Sequence, residues 1–264
     1  YKINMKKYLI WGIEMKDKFK KRMIFSLLFL VLAISISFFI NIGGKNVLLS
    51  IKKKVPIYRV DTKENKISLT FDVSRGEEYI DKILDVLDKN DVKATFFLVG
   101  DWIEQNPDKV KEIYEKGHEI GNHSHSHPNM SVISKERIIK DININDANIR
   151  KITGEGTKLF RFPSGSYSGE AVDTVNGMGL YAIQWDVDSI DWKEDGADLE
   201  YKRVIKETKP GSILLFHNTA KYTPENLPRM IKELRERGFE FVKVGDLIYK
   251  ENYYIDSAGV QKKN

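Results

Sequence analysis

The sequence predicts an α/β fold on a parallel sheet, preceded by one membrane-spanning helix. Three observations point there. From residue 66 to 250, short apolar runs alternate with amphipathic stretches, the pattern of repeated strand–helix units. Chemically versatile residues (Asp72, His123, Arg161, His217) close those apolar runs instead of interrupting them. Near the start, an apolar run of about 20 residues follows a cluster of basic ones, the length a helix needs to cross a bilayer.

Composition bounds the reading. The chain has 264 residues, a net charge of +5, 41% hydrophobic and 31% charged residues, ordinary for a globular domain. Beyond the N-terminal portion, about 200 residues remain, enough for one full core. No basic stripe interleaved with aromatics appears later, which argues against a nucleic-acid partner. There is no cysteine, hence no disulfide framework and no thiolate metal site.

In order, residues 1–22 form a basic segment with Lys16, Lys18, Lys20, Lys21 and Arg22, expected on the cytoplasmic side by the positive-inside rule. Residues 23–42 are the expected anchor; a cleaved signal peptide, with secretion of the rest, is the alternative. Residues 43–65 read as a polar tether to an extracytoplasmic domain at 66–250, and 251–264 as a loose polar tail. Within the domain, 66–71 reads as a buried strand ending in Asp72. Ile80, Ile83, Leu84 and Leu87 form a helical stripe. Strands follow at 94–99 and 119–122, with a helix between them around Val110 and Ile113. Ser134 caps a helix carrying Ile138, Ile142 and Ile149 that Gly154 ends. Next come a strand at 159–162, a helix at 171–178, a strand at 181–187, a helix around 201–207 and a strand at 212–216 ending in His217. A helix at 227–237, a short strand at 240–242 and a helix at 244–249 complete the pattern. The parallel sheet is expected to be open or barrel-like.

The most distinctive stretch is Gly121-Asn122-His123-Ser124-His125-Ser126-His127-Pro128. A fully extended strand would hold His123 and His127 about 13 Å apart. A single turn brings side chains at i and i+4 within about 6 Å, close enough for one metal ion. That turn would send His125 elsewhere. Asp72, His123, Arg161, Asp186 to Asp191 and His217 all fall at or just past the C-terminal ends of expected strands, the rim that carries active sites in parallel α/β folds.

Five motifs then appear in one order: Thr70-Phe71-Asp72; His123-Ser-His-Ser-His127-Pro; Arg161-Phe-Pro163-Ser-Gly165; Asp188-Ser-Ile-Asp191-Trp192; and Leu214-Leu215-Phe216-His217-Asn218. In these the chain resembles the NodB-homology polysaccharide deacetylases, the fourth carbohydrate esterase family, and most nearly the sporulation-associated membrane-anchored members. The resemblance implies a distorted (β/α) barrel that removes acetyl groups from N-acetylated sugars of a cell-wall polysaccharide, peptidoglycan or a spore-wall glycan. It implies that His123 and His127 hold a divalent metal, zinc first and cobalt second. Asp72 would be the general base, oriented by Arg161, and His217 the general acid, oriented by Asp191, with Asp188 as a second candidate partner. Pro163 and Ser164 would lie against the substrate, the backbone N–H after Pro163 serving the oxyanion, and Trp192 and Leu215 would wall the acetyl pocket. His118 and His125 are expected to be structural.

Two positions depart from the family's pattern. Its first motif carries a second Asp as a metal ligand, and here that position is Val73. Metal binding is therefore expected to be weakened, with Glu77 or Glu78 as substitute ligands nearby. Ser164 stands where the family often has Tyr. Two alternatives follow: a glycan-binding protein that kept the groove without catalysis, and a hydrolase that uses Asp72 and His217 without metal.

Overall fold

The computed structural model describes residues 15, 16, 18–37 and 54–264. These fall in two units, Tyr1–Lys52 and Lys53–Asn264. In the first, residues 18–37 form a helix (α1) whose described side chains are exposed. Among the described residues no helix is long and apolar enough to cross a membrane. Residues 38–42 of the expected anchor, and 43–53 of the expected tether, lie outside the described residues.

The second unit is built on strands β2 (Lys66–Val73), β3 (Thr95–Leu98), β4 (Glu119–Asn122), β5 (Leu159–Arg161), β6 (Tyr181–Ile183), β7 (Val187–Asp188), β8 (Ile213–His217) and β9 (Glu240–Phe241). Their order is β6-β5-β4-β3-β2-β8-β7, with β9 on β2, and every pairing is parallel. The sheet curls into a half-barrel. β2 to β5 and β8 are largely buried, and all but β4 are rich in Ile, Leu and Phe, as strands covered on both faces require.

Helices α2 (Ile80–Lys89), α3 (Gly100–Gln105), α4 (Pro107–Glu115), α5 (Lys135–Thr153), α6 (Gly169–Gly177), α7 (Ala197–Glu207), α8 (Thr223–Glu236) and α9 (Val244–Leu247) connect the strands. α2 buries the stripe Ile80, Ile83, Leu84 and Leu87 in a cluster with Phe71, Phe96 and Phe216. Ser134 caps α5 by accepting the Arg137 N–H, and Gly154 ends it in the left-handed region at φ 84°, where a Cβ would be strained.

Three expectations are corrected. The strand expected over 181–187 is two strands. Between them Gln184 N–H leaves the ladder to donate to Ile57 C=O, and the Asp186 carboxylate accepts from Ser212 Oγ and Ile213 N–H. The tail is not loose: β10 (Tyr253–Ile255) and β11 (Val260–Lys263) pair antiparallel, and β11 runs parallel to β1 (Arg59–Val60). Gln261 is fully buried there and bonds both the N–H and the C=O of Tyr249. The end of the expected tether is also built in, with Ile57 bridged to Ile183 and Arg59 to Ser212.

Candidate active site

A parallel sheet delivers all its strand ends to one rim. Asp72 and His217 are register partners across β2 and β8, and Arg161 ends β5. Asp72, Ser74, His123, His127, Ser164, Trp185, Asp188, Trp192, Leu215 and His217 line a single cavity of about 400 Å³. The expected residues Asp72, His123, His127, Ser164, Trp192, Leu215 and His217 therefore meet. Pro163 opens the short turn Pro163–Gly165 that presents Ser164. Arg161 and Asp191 stand behind the cavity, each holding one of its members.

Arg161 is fully buried. Its Nη1 donates to Asp72 Oδ1 at 2.7 Å and to Thr70 Oγ1 at 2.9 Å, and its Nη2 donates to the Gln184 carbonyl at 3.1 Å. The guanidinium lies 4.0 Å over the Phe97 ring. Burial works against a charged Asp72, but Arg161, His123 and His217 overcome it and hold the carboxyl below its ordinary value. Asp72 thus remains a carboxylate although it is buried.

On the opposite wall, Asp191 Oδ1 pairs with His217 Nδ1 at 2.7 Å, while Asp191 Oδ2 accepts the His217 backbone N–H at 2.7 Å. Burial opposes the imidazolium. The hydrogen bond and charge of Asp191, with Asp72 and Asp188 behind them, prevail and raise the His217 pKa. Pinning Nδ1 on Asp191 leaves Nε2 free for the cavity. Asp188 is not the partner of His217: its carboxylate accepts from Trp185 Nε1 and from the Ile190 N–H.

The histidine segment is not a helical turn. Ser124 and His127 adopt left-handed backbone at φ 68° and 52°, an uncommon state for non-glycine residues. Ser124 Oγ accepts the His127 N–H, and Asn122 Oδ1 accepts the Ser124 N–H. This sharp reversal brings the His123 and His127 rings to a centroid separation of 5.0 Å. His125 points away, its Nε2 3.6 Å from Asp101. His118 accepts the Ala94 N–H within the core. Left-handed non-glycine residues recur at Ser164 and at Ile190, beside Asp191. Such local strain collects where surrounding structure must aim a side chain.

His123 Nδ1 is held by the Arg161 carbonyl at 2.9 Å, which leaves Nε2 facing Asp72 Oδ2 at 3.4 Å. Burial brings the His123 pKa down to about 4 and lowers that of His127 as well. Both are neutral imidazoles at pH 7, the form that binds a metal. In kind this donor set fits a borderline ion such as zinc; in number it falls one short of the three protein ligands of a catalytic zinc site. Among the described residues no group of three or more His, Asp or Glu could hold a metal. Val73 is fully buried in the apolar cluster. Glu77 and Glu78 are exposed, with Glu78 on a neighbouring depression beside Arg75 and Tyr79, so the structure brings no substitute ligand to the two histidines.

Ser74 and Trp185 join the cavity without having been singled out in the sequence. Trp185 carried a faint signal, an aromatic at the end of an apolar run. Ser74 carried none.

A family model described as polysaccharide deacetylase matches residues 59–183. The chain is 32% identical over 219 residues to the peptidoglycan-N-acetylmuramic acid deacetylase PdaA of Bacillus subtilis (strain 168), a match spanning 81% of this chain and 83% of PdaA. Among solved structures it is similar to wild-type BA3943 of Bacillus anthracis, described as a CE4 family pseudoenzyme, at 35% identity and a TM-score of 0.71 over 80% of this chain and 70% of that one. A BA3943 mutant described as having restored enzymatic activity matches at 36% identity and a TM-score of 0.71, over 80% of this chain and 73% of that one.

Proposed function

The chain belongs to the polysaccharide deacetylase family, and from that premise we propose that it hydrolyses the acetamide of N-acetylated sugars in peptidoglycan or a related spore-wall glycan. One observation carries the reading. A carboxylate held by a buried arginine and an imidazole held by a buried aspartate are neighbours across one cavity.

The roles follow from protonation. Asp72, ionised, takes a proton from the attacking water as general base. Arg161 fixes its orientation and keeps it charged. As the carbonyl becomes tetrahedral, its oxygen gains charge, and the Ser164 N–H, on the turn that carries Ser164 to the cavity, would stabilise it. His217, protonated, gives its proton to the departing nitrogen while the C–N bond breaks, leaving acetate and a free amine. Asp191 keeps the imidazole oriented and charged for that step. Trp192, 60% exposed, offers a flat face to a sugar ring, and Leu215 walls the space for the acetyl methyl.

A divalent ion, zinc or cobalt, held by His123 and His127 would supply Lewis-acid polarisation and a more acidic water. With Val73 in place of a carboxylate, that hold is expected to be weak. Val73 also favours a second reading, a glycan-binding protein with impaired catalysis, and the likeness to a CE4 pseudoenzyme supports it.

Location belongs to the same proposal. The basic residues before position 23, the apolar run and the exposed apolar side chains of α1, Phe25, Leu28 and Leu32 among them, support an N-terminal anchor with the hydrolase outside the cell membrane. A secreted form after cleavage is the alternative. Fractionation of cells expressing the full chain separates the two.

The functional test is acetate release from peptidoglycan by the purified full chain with added zinc or cobalt, before and after chelation. The proposal expects release that chelation abolishes. Binding of the glycan without release supports the second reading, and release that resists chelation would point to a reaction run by Asp72 and His217 alone.

A further inference from the structure

Behind His217 the polar chain does not stop at Asp191. Thr223, the first residue of α8, is fully buried. Its Oγ1 lies 3.1 Å from Asp191 Oδ2 and 3.0 Å from Glu200 Oε1. Glu200 projects from α7 and is 4% exposed, and its Oε2 is buried without a partner. None of the five motifs includes Glu200 or Thr223.

Proton counting decides the state of this chain. A hydroxyl has one hydrogen, so Thr223 can donate to one carboxylate only. Its second contact needs another proton. Asp191 already accepts from the His217 N–H and Nδ1–H, the surroundings of an ionised carboxylate. Glu200 has an orphaned oxygen and no cation within salt-bridge distance among the described residues. The consistent assignment has Glu200 donating to Thr223 and Thr223 donating to Asp191.

We propose that Glu200 is a positioning residue for the proton donor: it carries the second proton of the Glu200–Thr223–Asp191 chain and thereby orients Asp191 on His217. Its charge is also a pH-dependent control on that pair. Burial, with the charge of Asp191 added, pushes Glu200 up to about 7; the Thr223 hydrogen bond, the neighbouring Asn226 amide and the charge of Arg229 oppose this. The other charged groups around this buried spot are Glu194, Asp195 and Arg203. Once Glu200 ionises, a second negative charge stands behind His217 and holds its proton to higher pH.

The role in catalysis rests on His217 being the proton donor, but the test does not need turnover. The full chain is labelled at histidine with ¹³C, and the His217 resonance, identified by its loss in H217A, is titrated without glycan in wild type and E200Q. Glutamine can donate to Thr223 as the protonated acid does, so E200Q keeps the hydrogen-bond pattern. The two titrations should coincide below pH 6 and part above pH 7, with the His217 midpoint at lower pH in E200Q. Infrared difference spectra of wild type against E200Q should show a protonated carboxyl at pH 6 that is gone at pH 9. T223S, which retains the hydroxyl, should behave as wild type. Coincident His217 titrations across the range, or no protonated carboxyl at pH 6, would overturn the proposal. Absence of acetate release from both proteins would count against the deacetylase reading alone.

Discussion

Asp72 and His217 face each other as direct register partners on neighbouring parallel strands, β2 and β8. Each is backed by a buried partner of opposite charge, Arg161 at 2.7 Å and Asp191 at 2.7 Å. One group is thereby kept deprotonated and the other protonated over a shared pH range. That separation of protonation states is what an acid–base pair needs.

Replacing the proposed base separates its chemistry from its structural role. Asp72→Asn leaves an oxygen for Arg161 and should fold, while deacetylation falls by a factor on the order of 10²–10⁴. Asp72→Ala strands the buried guanidinium and should also cost about 3–5 kcal/mol in urea unfolding. Acetate release and unfolding midpoints of both variants check this.

The pH dependence has a definite sign. The His217 pKa is raised in the fold, so its pairing contributes fully below the unfolded value of about 6.5. That contribution is lost as pH rises through the folded value. Asp72 is shifted down; its contribution is present above the unfolded value and lost as pH falls through the folded one. Turnover should therefore fall on the alkaline side as His217 deprotonates. Asp191→Asn should move that limb to lower pH, read from kcat/KM against pH.

Metal content tests the reading of Val73. Wild type should hold zinc weakly through His123 and His127, and His127→Ala should bind less. Val73→Asp should raise both zinc stoichiometry and activity, although a carboxylate entering the apolar cluster should lower thermal stability. Equal zinc content in wild type and Val73→Asp, measured after dialysis, would show that position 73 does not limit binding.

The terminal sheet should matter for stability. Gln261→Ala leaves the N–H and C=O of Tyr249 without their partner, a loss of about 1–3 kcal/mol. Chemical denaturation of the full chain checks it, with activity per folded molecule expected to be unchanged.

Much of this was legible in the sequence because a parallel sheet turns chain order into position. Apolar runs ending in Asp72, Arg161 and His217 marked strands, and parallel strand ends share a rim. Asp191 next to His217 came through the family motif, not from spacing. What spacing could not supply was backbone handedness. His123 and His127 converge through left-handed Ser124 and His127, where a helical turn was the simpler expectation. The tail reads as loose because it is polar, yet the strands of a small sheet need only backbone partners, one buried glutamine on the middle strand and the turn at Gly259. Ser74 and Trp185 reach the cavity through tertiary placement, and Glu200 looks like any charged residue on an amphipathic helix until Thr223 is seen beside it.

Acetate released from peptidoglycan by the full chain, compared among wild type, Asp72→Asn and His217→Ala with zinc present, tests the paired carboxylate and imidazole most directly. Release by wild type that both variants lose is the predicted result. Equal release from all three proteins would contradict it.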